Sequence, residues 1–229
     1  MKTYLDLGDI QAMEKYAISI RDRLLIRLLF RLGCRISEAL AIKVRDIDFE
    51  RANIMIVHLK RRIKLSCPGC KMSLSKKSRF CPGCGQLVEE IVKREQHHRR
   101  TRTLPLDKDS LEMLKEYVIS ERLSTLNVEA PLFNINRHRA WQIVRDCGKL
   151  AGLTDLVNPE TGRTRGISPH RLRDAFSVHA MKIDDSGDGL RLLQEHLGHA
   201  SFNTTARYRK IAGDEHRLWY DQLWRNLPK

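Results

Sequence analysis

No apolar run in the chain approaches the roughly 18 residues that a helical membrane span requires, so none is expected. The opening residues, MKTYLDLGDIQ, lack the basic start, apolar middle and small-residue cleavage site of a secretory signal. No internal repeat and no low-complexity tract is present. Acidic residues are outnumbered: 28 Asp+Glu against 42 Lys+Arg leave a formal net charge of +14. Such an imbalance favours a nucleic-acid partner, because each phosphate neutralised releases condensed counterions. A disulfide framework is also missing: of six cysteines, four fall in two Cys-Pro-Gly-Cys units. Without a secretion signal, that pattern reads as metal binding in a reducing compartment, so a cytoplasmic, DNA-associated location is expected. The 229 residues suffice for one large domain or two small ones.

The two units, Cys67–Cys70 and Cys81–Cys84, are separated by ten residues. Paired Cys-x2-Cys knuckles offer four thiolates to one tetrahedral zinc. Four cysteines leave no open coordination position, so the ion is structural, one per chain. A disulfide pair or a redox site is the competing reading. Gly69 and Gly83 are expected to let each knuckle turn tightly. The surrounding segment, 63–99, is too short for an apolar core, so the metal must hold it. It is basic at Lys71, Lys76, Lys77, Arg79 and from Lys93 onward, which suits contact with DNA or simple solubility. His97 and His98 read as loop residues rather than ligands, and Cys34 and Cys147 as small buried residues.

Outside that segment the pattern is mostly helical. Asp9 to Leu32 carries an apolar face of Leu24, Leu25, Leu28, Leu29 and Leu32, and Gly33 ends it. Asn53 to Leu59 and Arg102 to Leu106 read as strands. Asp107 caps a helix running to Arg122, with Leu111, Leu114, Tyr117 and Val118 inward. A helix from Arg139 to Ala151 places Trp141, Val144 and Leu150 in the core, and 158–166 is a turn-rich loop. Ser168 and Pro169 start a further helix, with Leu172, Phe176 and His179 on its core stripe. Leu190, Leu193 and Leu197 mark another, stopped by Gly198, and Ser201 to Thr205 opens a third that carries Tyr208.

Two separated boxes stand out. One is Gly33-Cys34-Arg35-Ile36-Ser37-Glu38-Ala39-Leu40. The other holds His170 and Arg173 three apart, then Leu197-Gly198-His199, then Tyr208 nine residues after His199. In order and spacing these resemble the signature boxes of the tyrosine recombinases, the phage-integrase and Xer-like DNA strand-exchange enzymes. The resemblance covers nearly all of the chain except the cysteine-bearing insertion.

That resemblance implies a mainly α fold with a small antiparallel β element (α+β), a tyrosine recombinase catalytic domain formed by 1–62 and 100–229 and interrupted by a zinc-ribbon insert at 63–99. It implies duplex DNA as substrate and Tyr208 as the nucleophile forming a 3′-phosphotyrosyl link. Arg35 and Arg173 would hold the phosphate oxygens, with Glu38 supporting Arg35. His170 would take part in proton transfer, and His199 would hydrogen-bond the phosphate. Lys60, 25 residues after Arg35, would protonate the leaving 5′-oxygen, with Lys64 and Lys93 as rivals for that role. No nucleotide cofactor and no catalytic metal are implied. The expected assembly is a homo-oligomer on DNA, a tetramer of synapsed dimers. In it a C-terminal segment bearing Leu218, Trp219, Leu223 and Trp224 would dock on a neighbouring subunit. Since 34 residues precede Arg35, no N-terminal DNA-clamping domain is expected. Two other readings stand beside this one: a type IB topoisomerase-like enzyme that relaxes DNA, and a catalytically inactive DNA-binding accessory module.

Overall fold

A computed structural model describes residues 2–57, 63–75, 78–87, 92–95, 101–121, 128–158, 161–199 and 201–211. Leucine density sets its centre. After α1 (Leu7–Lys15), helix α2 (Ile20–Arg31) buries Leu24, Leu25, Ile26, Leu28 and Leu29 completely and leaves Arg23 exposed. Each such side chain contributes about 1.5–3 kcal/mol of burial. The one helix expected from Asp9 to Leu32 is therefore two. Ser19 adopts extended backbone, and its hydroxyl accepts from the Asp22 N–H, capping α2 where a continuous helix would have run on. Arg27 leaves the apolar surroundings through an ion pair with Glu14, Nη2 to Oε2 2.5 Å.

The rest of the chain follows in order: α3 (Ile36–Ala39), β1 (Ile47–Asp48), β2 (Asn53–Val57), β3 (Ile63–Ser66), β4 (Ser73–Leu74), β5 (Val92–Glu95), β6 (Thr101–Pro105), α4 (Lys108–Ser120), α5 (Arg137–Leu150), β7 (Leu156–Val157), β8 (Thr164–Arg165), α6 (Pro169–Ile183), α7 (Gly187–Leu197) and α8 (Phe202–Ile211). It divides into two units, one of residues 1–57 with 101–229 and one of 58–100. The larger unit is mainly helical with an antiparallel sheet ordered β1-β2-β6. Strands β2 and β6 pair from Asn53↔Pro105 to Val57↔Thr101, so the chain leaves this unit and returns to it at two register partners.

Local chemistry explains most of the remaining elements. Asp107 accepts from the Ser110 N–H and hydroxyl and starts α4, and Asn136 caps α5 in the same way. In α5 the inward stripe is Ala140, Ile143, Val144 and Cys147. Trp141 and Leu150, both expected in the core, fall off that stripe and are 39% and 59% exposed. The Arg145 guanidinium covers the Trp141 ring at 5.1 Å. The loop expected at 158–166 is partly the β7–β8 hairpin. Pro169 opens α6 as expected, although the Ser168 hydroxyl makes no capping bond. Phe176 packs on the core, but His179 is exposed. Helices α6, α7 and α8 share a second apolar cluster of Val178, Met181, Leu190, Leu193, Leu197 and Tyr208. That cluster is what fixes Tyr208.

The smaller unit is a sheet ordered β4-β3-β5 with two knuckles attached. Its buried cluster, among the described residues, is Cys67, Leu74 and Cys81. Lys64 and Lys93 lie on β3 and β5, with Lys64 opposite Arg94 and Lys93 opposite Leu65. Lys60, His97, His98 and the C-terminal residues Leu218, Trp219, Leu223 and Trp224 lie outside the described residues. No described helix is long and apolar enough to cross a membrane.

Candidate active site and metal site

The larger unit gathers its polar groups where α2 ends, α6 begins and α7 ends. Arg173, on α6, is 2% exposed. Its Nη1 donates to the Gly33 carbonyl at 2.6 Å, and its Nη2 donates to the Leu197 carbonyl at 2.8 Å. Leu197 ends α7, where the last C=O groups have no intrahelical partner, and Gly33 lies just past the Leu32 cap of α2. Burial first, then the charge of Arg35, lowers the Arg173 pKa to about 10, which still leaves it a cation at neutral pH.

Nη2 of Arg173 also lies 3.0 Å from His199 Nε2. A guanidinium only donates, so Nε2 is the acceptor and the ring proton sits on Nδ1. From there it donates to Thr205 Oγ1 at 2.8 Å, and Thr205 is fully buried. His199 is thus a neutral ring held in one tautomer. Gly33 and Gly198 make the approach possible. Both have positive φ (54° and 65°), and a Cβ on Gly33 would lie 2.5 Å from the Phe176 ring.

Arg35 caps α3 from outside. Its Nη1 donates to Glu38 Oε1 at 2.8 Å and its backbone N–H donates to Oε2 at 3.1 Å. The Glu38 side chain is only 1% exposed and takes a further bond from Arg102 Nη2, 2.8 Å to Oε2. Burial would raise the Glu38 pKa, but the Arg102 bond and charge, with both Arg35 bonds, prevail and bring it down to about 2. Arg102 Nε is buried with no partner among the described residues.

Tyr208, on α8, is 2% exposed, and its ring lies parallel to that of His199 with centroids 6.5 Å apart. Its hydroxyl donates to Asp174 Oδ1 at 2.8 Å. Arg171 Nη1 donates to Asp174 Oδ2 at 2.8 Å, and His170 Nε2 stands 3.7 Å from Oδ1. The His170 side chain is 57% exposed.

Five of the six site residues named from sequence therefore lie in this unit. Arg173, His199 and Tyr208 form one contiguous group, His170 joins it through Asp174, and Arg35 faces Arg173 beside Glu38. Lys60, the sixth, lies outside the described residues. Two residues were missed. Asp174 sits four after His170 on the same helix, a spacing that puts both on one face. Arg102 shares strand parity with buried Leu104 on β6, and that parity was the available signal.

In the smaller unit, all four sulfurs of Cys67, Cys70, Cys81 and Cys84 lie within 4.8 Å of one another. The Cys67–Cys84 and Cys70–Cys81 sulfurs are 3.7 and 3.4 Å apart. Zinc–sulfur bonds of about 2.3 Å in a tetrahedron give edges of about 3.8 Å, so the set fits. The knuckles repeat one backbone scheme: Lys71 N–H to Cys67 O and Cys67 N–H to Met72 O, then Gly85 N–H to Cys81 O and Cys81 N–H to Gln86 O. The left-handed residue in each is the one after the second cysteine, Lys71 (φ 62°) and Gly85 (φ 71°). Gly69 and Gly83, expected to supply the turn, do not have positive φ. The Cys84 and Gly83 backbone N–H groups, aimed at the Cys81 sulfur, lower that thiol's pKa to about 6.

The phage integrase family matches residues 9–215 of the chain. The tyrosine recombinase XerD of Neisseria meningitidis serogroup B is 30% identical over 195 residues, which cover 84% of this chain and 51% of that protein. The tyrosine recombinase XerA of Pyrococcus horikoshii is 25% identical over 203 residues, covering 89% and 55%. The chain thus spans about half the length of the curated relatives it matches. Among solved structures, a XerA recombinase superposes with a TM-score of 0.64 at 20% identity, covering 99% of this chain and 65% of that one. The catalytic domain of bacteriophage HP1 integrase is covered in full by all of this chain, with a TM-score of 0.54 at 18% identity.

The Glu38 geometry makes a pH prediction. Its folded pKa, about 2, lies below the ordinary 4.5, so its stabilising contribution is complete above pH 4.5 and fades as pH falls toward 2. Glu38→Gln is expected to be less stable than wild type at neutral pH. The gap should narrow across that acid window in denaturant melts at each pH. A gap that is constant with pH would contradict the ion-pair account.

Proposed function

The chain belongs to the phage integrase family, and on that footing we propose that it is a site-specific recombinase that cleaves and rejoins duplex DNA through a 3′-phosphotyrosyl link on Tyr208. The observation that carries this reading is the contiguous set Arg173, His199 and Tyr208, with Arg35 and His170 at its edges. Four of these residues are cations or imidazoles suited to a phosphate, and the fifth supplies an oxygen nucleophile.

The chemistry follows from that set. Tyr208 attacks the scissile phosphorus, its oxygen becomes bonded to the 3′-phosphate, and the 5′-oxygen leaves. A 5′-hydroxyl of a second strand reverses the step, so the phosphodiester energy is retained and no nucleotide is consumed. Arg35 and Arg173 grip the non-bridging oxygens, where planar, permanently charged donors suit the phosphorane. His199 adds a hydrogen bond to the phosphate by rotating its ring, which moves the Nδ1 proton from Thr205 and releases Nε2 from Arg173. Lys60 is the proposed acid for the 5′-oxygen, as the family pattern implies.

The partner is duplex DNA, and the working form is a homo-oligomer, a tetramer on two duplexes. Residues 58–100 also bind DNA in this reading: they carry twelve Lys+Arg against three Glu, most of the chain's excess charge. Cys67, Cys70, Cys81 and Cys84 hold one structural zinc per chain, which closes the two knuckles and supplies the stability their small apolar cluster cannot.

Three outcomes are expected. Tyr208→Phe binds DNA as wild type does but forms no covalent adduct on nicked suicide DNA, and wild-type adduct levels would remove Tyr208 from its role. Reduced, purified protein contains one zinc per chain by elemental analysis, and Cys81→Ser with Cys84→Ser loses it. A metal-free wild type would contradict the assignment. Deleting residues 64–98 weakens DNA binding and flattens its salt dependence by about one unit of slope for each phosphate that is no longer neutralised. An unchanged affinity and slope in a mobility-shift titration would confine DNA binding to the larger unit.

A further inference from the structure

The nucleophile's proton has to go somewhere, and the group that receives its hydrogen bond is neither a phosphate-binding arginine nor His199. It is Asp174, a residue 4% exposed on α6 whose Oδ1 accepts from the Tyr208 hydroxyl at 2.8 Å. The two carboxylate oxygens are used differently. Arg171 Nη1 occupies Oδ2 at 2.8 Å, which orients the group and leaves Oδ1 toward the phenol. That same Oδ1 lies 3.7 Å from His170 Nε2, and the His170 ring is more than half exposed. A buried phenol, a buried carboxylate and an exposed imidazole thus form a line from the reacting oxygen to solvent.

We propose that Asp174 is a catalytic residue, the general base for Tyr208, with His170 as the outlet for the proton. This rests on Tyr208 being the nucleophile. In cleavage the Tyr208 O–H proton moves to Asp174 Oδ1 as the phenolic oxygen bonds to phosphorus. The bond from phosphorus to the 5′-oxygen breaks, and that oxygen takes a proton from the acid on the other side of the phosphate. His170 relays the proton from Oδ1 to water. Rejoining runs the same transfers backward, so the carboxylate must give the proton back and is regenerated with each complete exchange. The exposure of His170 suits this role, because a proton outlet has to reach solvent.

An unperturbed phenol ionises near pH 10, about three units above neutrality, so a neighbouring acceptor has a real task. General bases of this kind contribute roughly 100- to 10,000-fold in rate.

The test is single-turnover cleavage of nicked suicide DNA by wild type, Tyr208→Phe, Asp174→Asn and Asp174→Ala. Asp174→Asn keeps a carbonyl oxygen for the hydroxyl but cannot take its proton. It is expected to bind DNA with unchanged affinity and to cleave about 100-fold slower or worse. Asp174→Ala, where a carboxylate-sized space opens, is expected to regain cleavage on adding formate, whereas Tyr208→Phe stays inactive with or without it. Formate rescue is the readout that a merely structural role would not move, and it keeps the proposal open to test if Asp174→Asn packs poorly. Asp174→Asn cleaving as fast as wild type, or faster, overturns the base and makes Asp174 a restraint on the tyrosine. Absence of formate rescue in folded, DNA-binding Asp174→Ala overturns it as well. Wild type that forms no adduct overturns the nucleophile assignment itself, a result distinct from a defect confined to the Asp174 variants.

Discussion

One guanidinium holds the larger unit's site together. Arg173 is buried among apolar helices, where an isolated cation is strongly disfavoured, and it is tolerated because its donors meet three acceptors. The Leu197 carbonyl ends α7, the Gly33 carbonyl lies just past α2, and the His199 ring supplies a third acceptor. The cation and the carbonyls solve each other's desolvation problem. In doing so they tie the end of α2, the start of α6 and the end of α7 to one point. The neighbouring Arg35–Glu38–Arg102 group works on the same principle with opposite sign, a buried carboxylate held by two guanidiniums.

That dependence explains why the site was legible in the sequence while parts of the fold were not. Arg35, His170, Arg173, His199 and Tyr208 are chemically distinctive and occur at fixed spacings, so their residue types announce them. The glycines between them follow from sterics: Gly33 leaves room for Phe176, and Gly198 ends α7 in the left-handed conformation. Asp174 was hidden because an Asp beside an Arg in a helix is ordinarily a solvated charge. Only the fold shows that α8 delivers a hydroxyl to it. Arg102 was hidden by its position in a run of basic residues, where parity with Leu104 was a weak signal.

The misread elements have local causes. A helical pattern read from Asp9 to Leu32 could not reveal that Ser19 would cap a new helix, since periodicity persists across a short break. Trp141 and Leu150 were placed inside on hydrophobicity alone, while Ala140, Ile143, Val144 and Cys147 already filled the inward stripe. In the knuckles the proline–glycine pair drew attention to Gly69 and Gly83, yet the left-handed backbone lies one residue past each second cysteine, at Lys71 and Gly85. Lys71 tolerates a conformation that Gly85 adopts without penalty, so the two knuckles are alike in path and unequal in cost.

The pairing of Val57 with Thr101 bears on how such a chain can change. A segment whose two ends are sheet partners enters the fold as a closed loop, and loop-closure entropy grows only logarithmically, by about 0.6 kcal/mol for each doubling of length. The β2–β6 ladder is therefore nearly indifferent to what hangs between its ends. A short turn, a long flexible tether or a self-supporting module would load it almost equally. The junction is a port through which material can be added, exchanged or removed while the leucine core and the Arg173 network remain as they are.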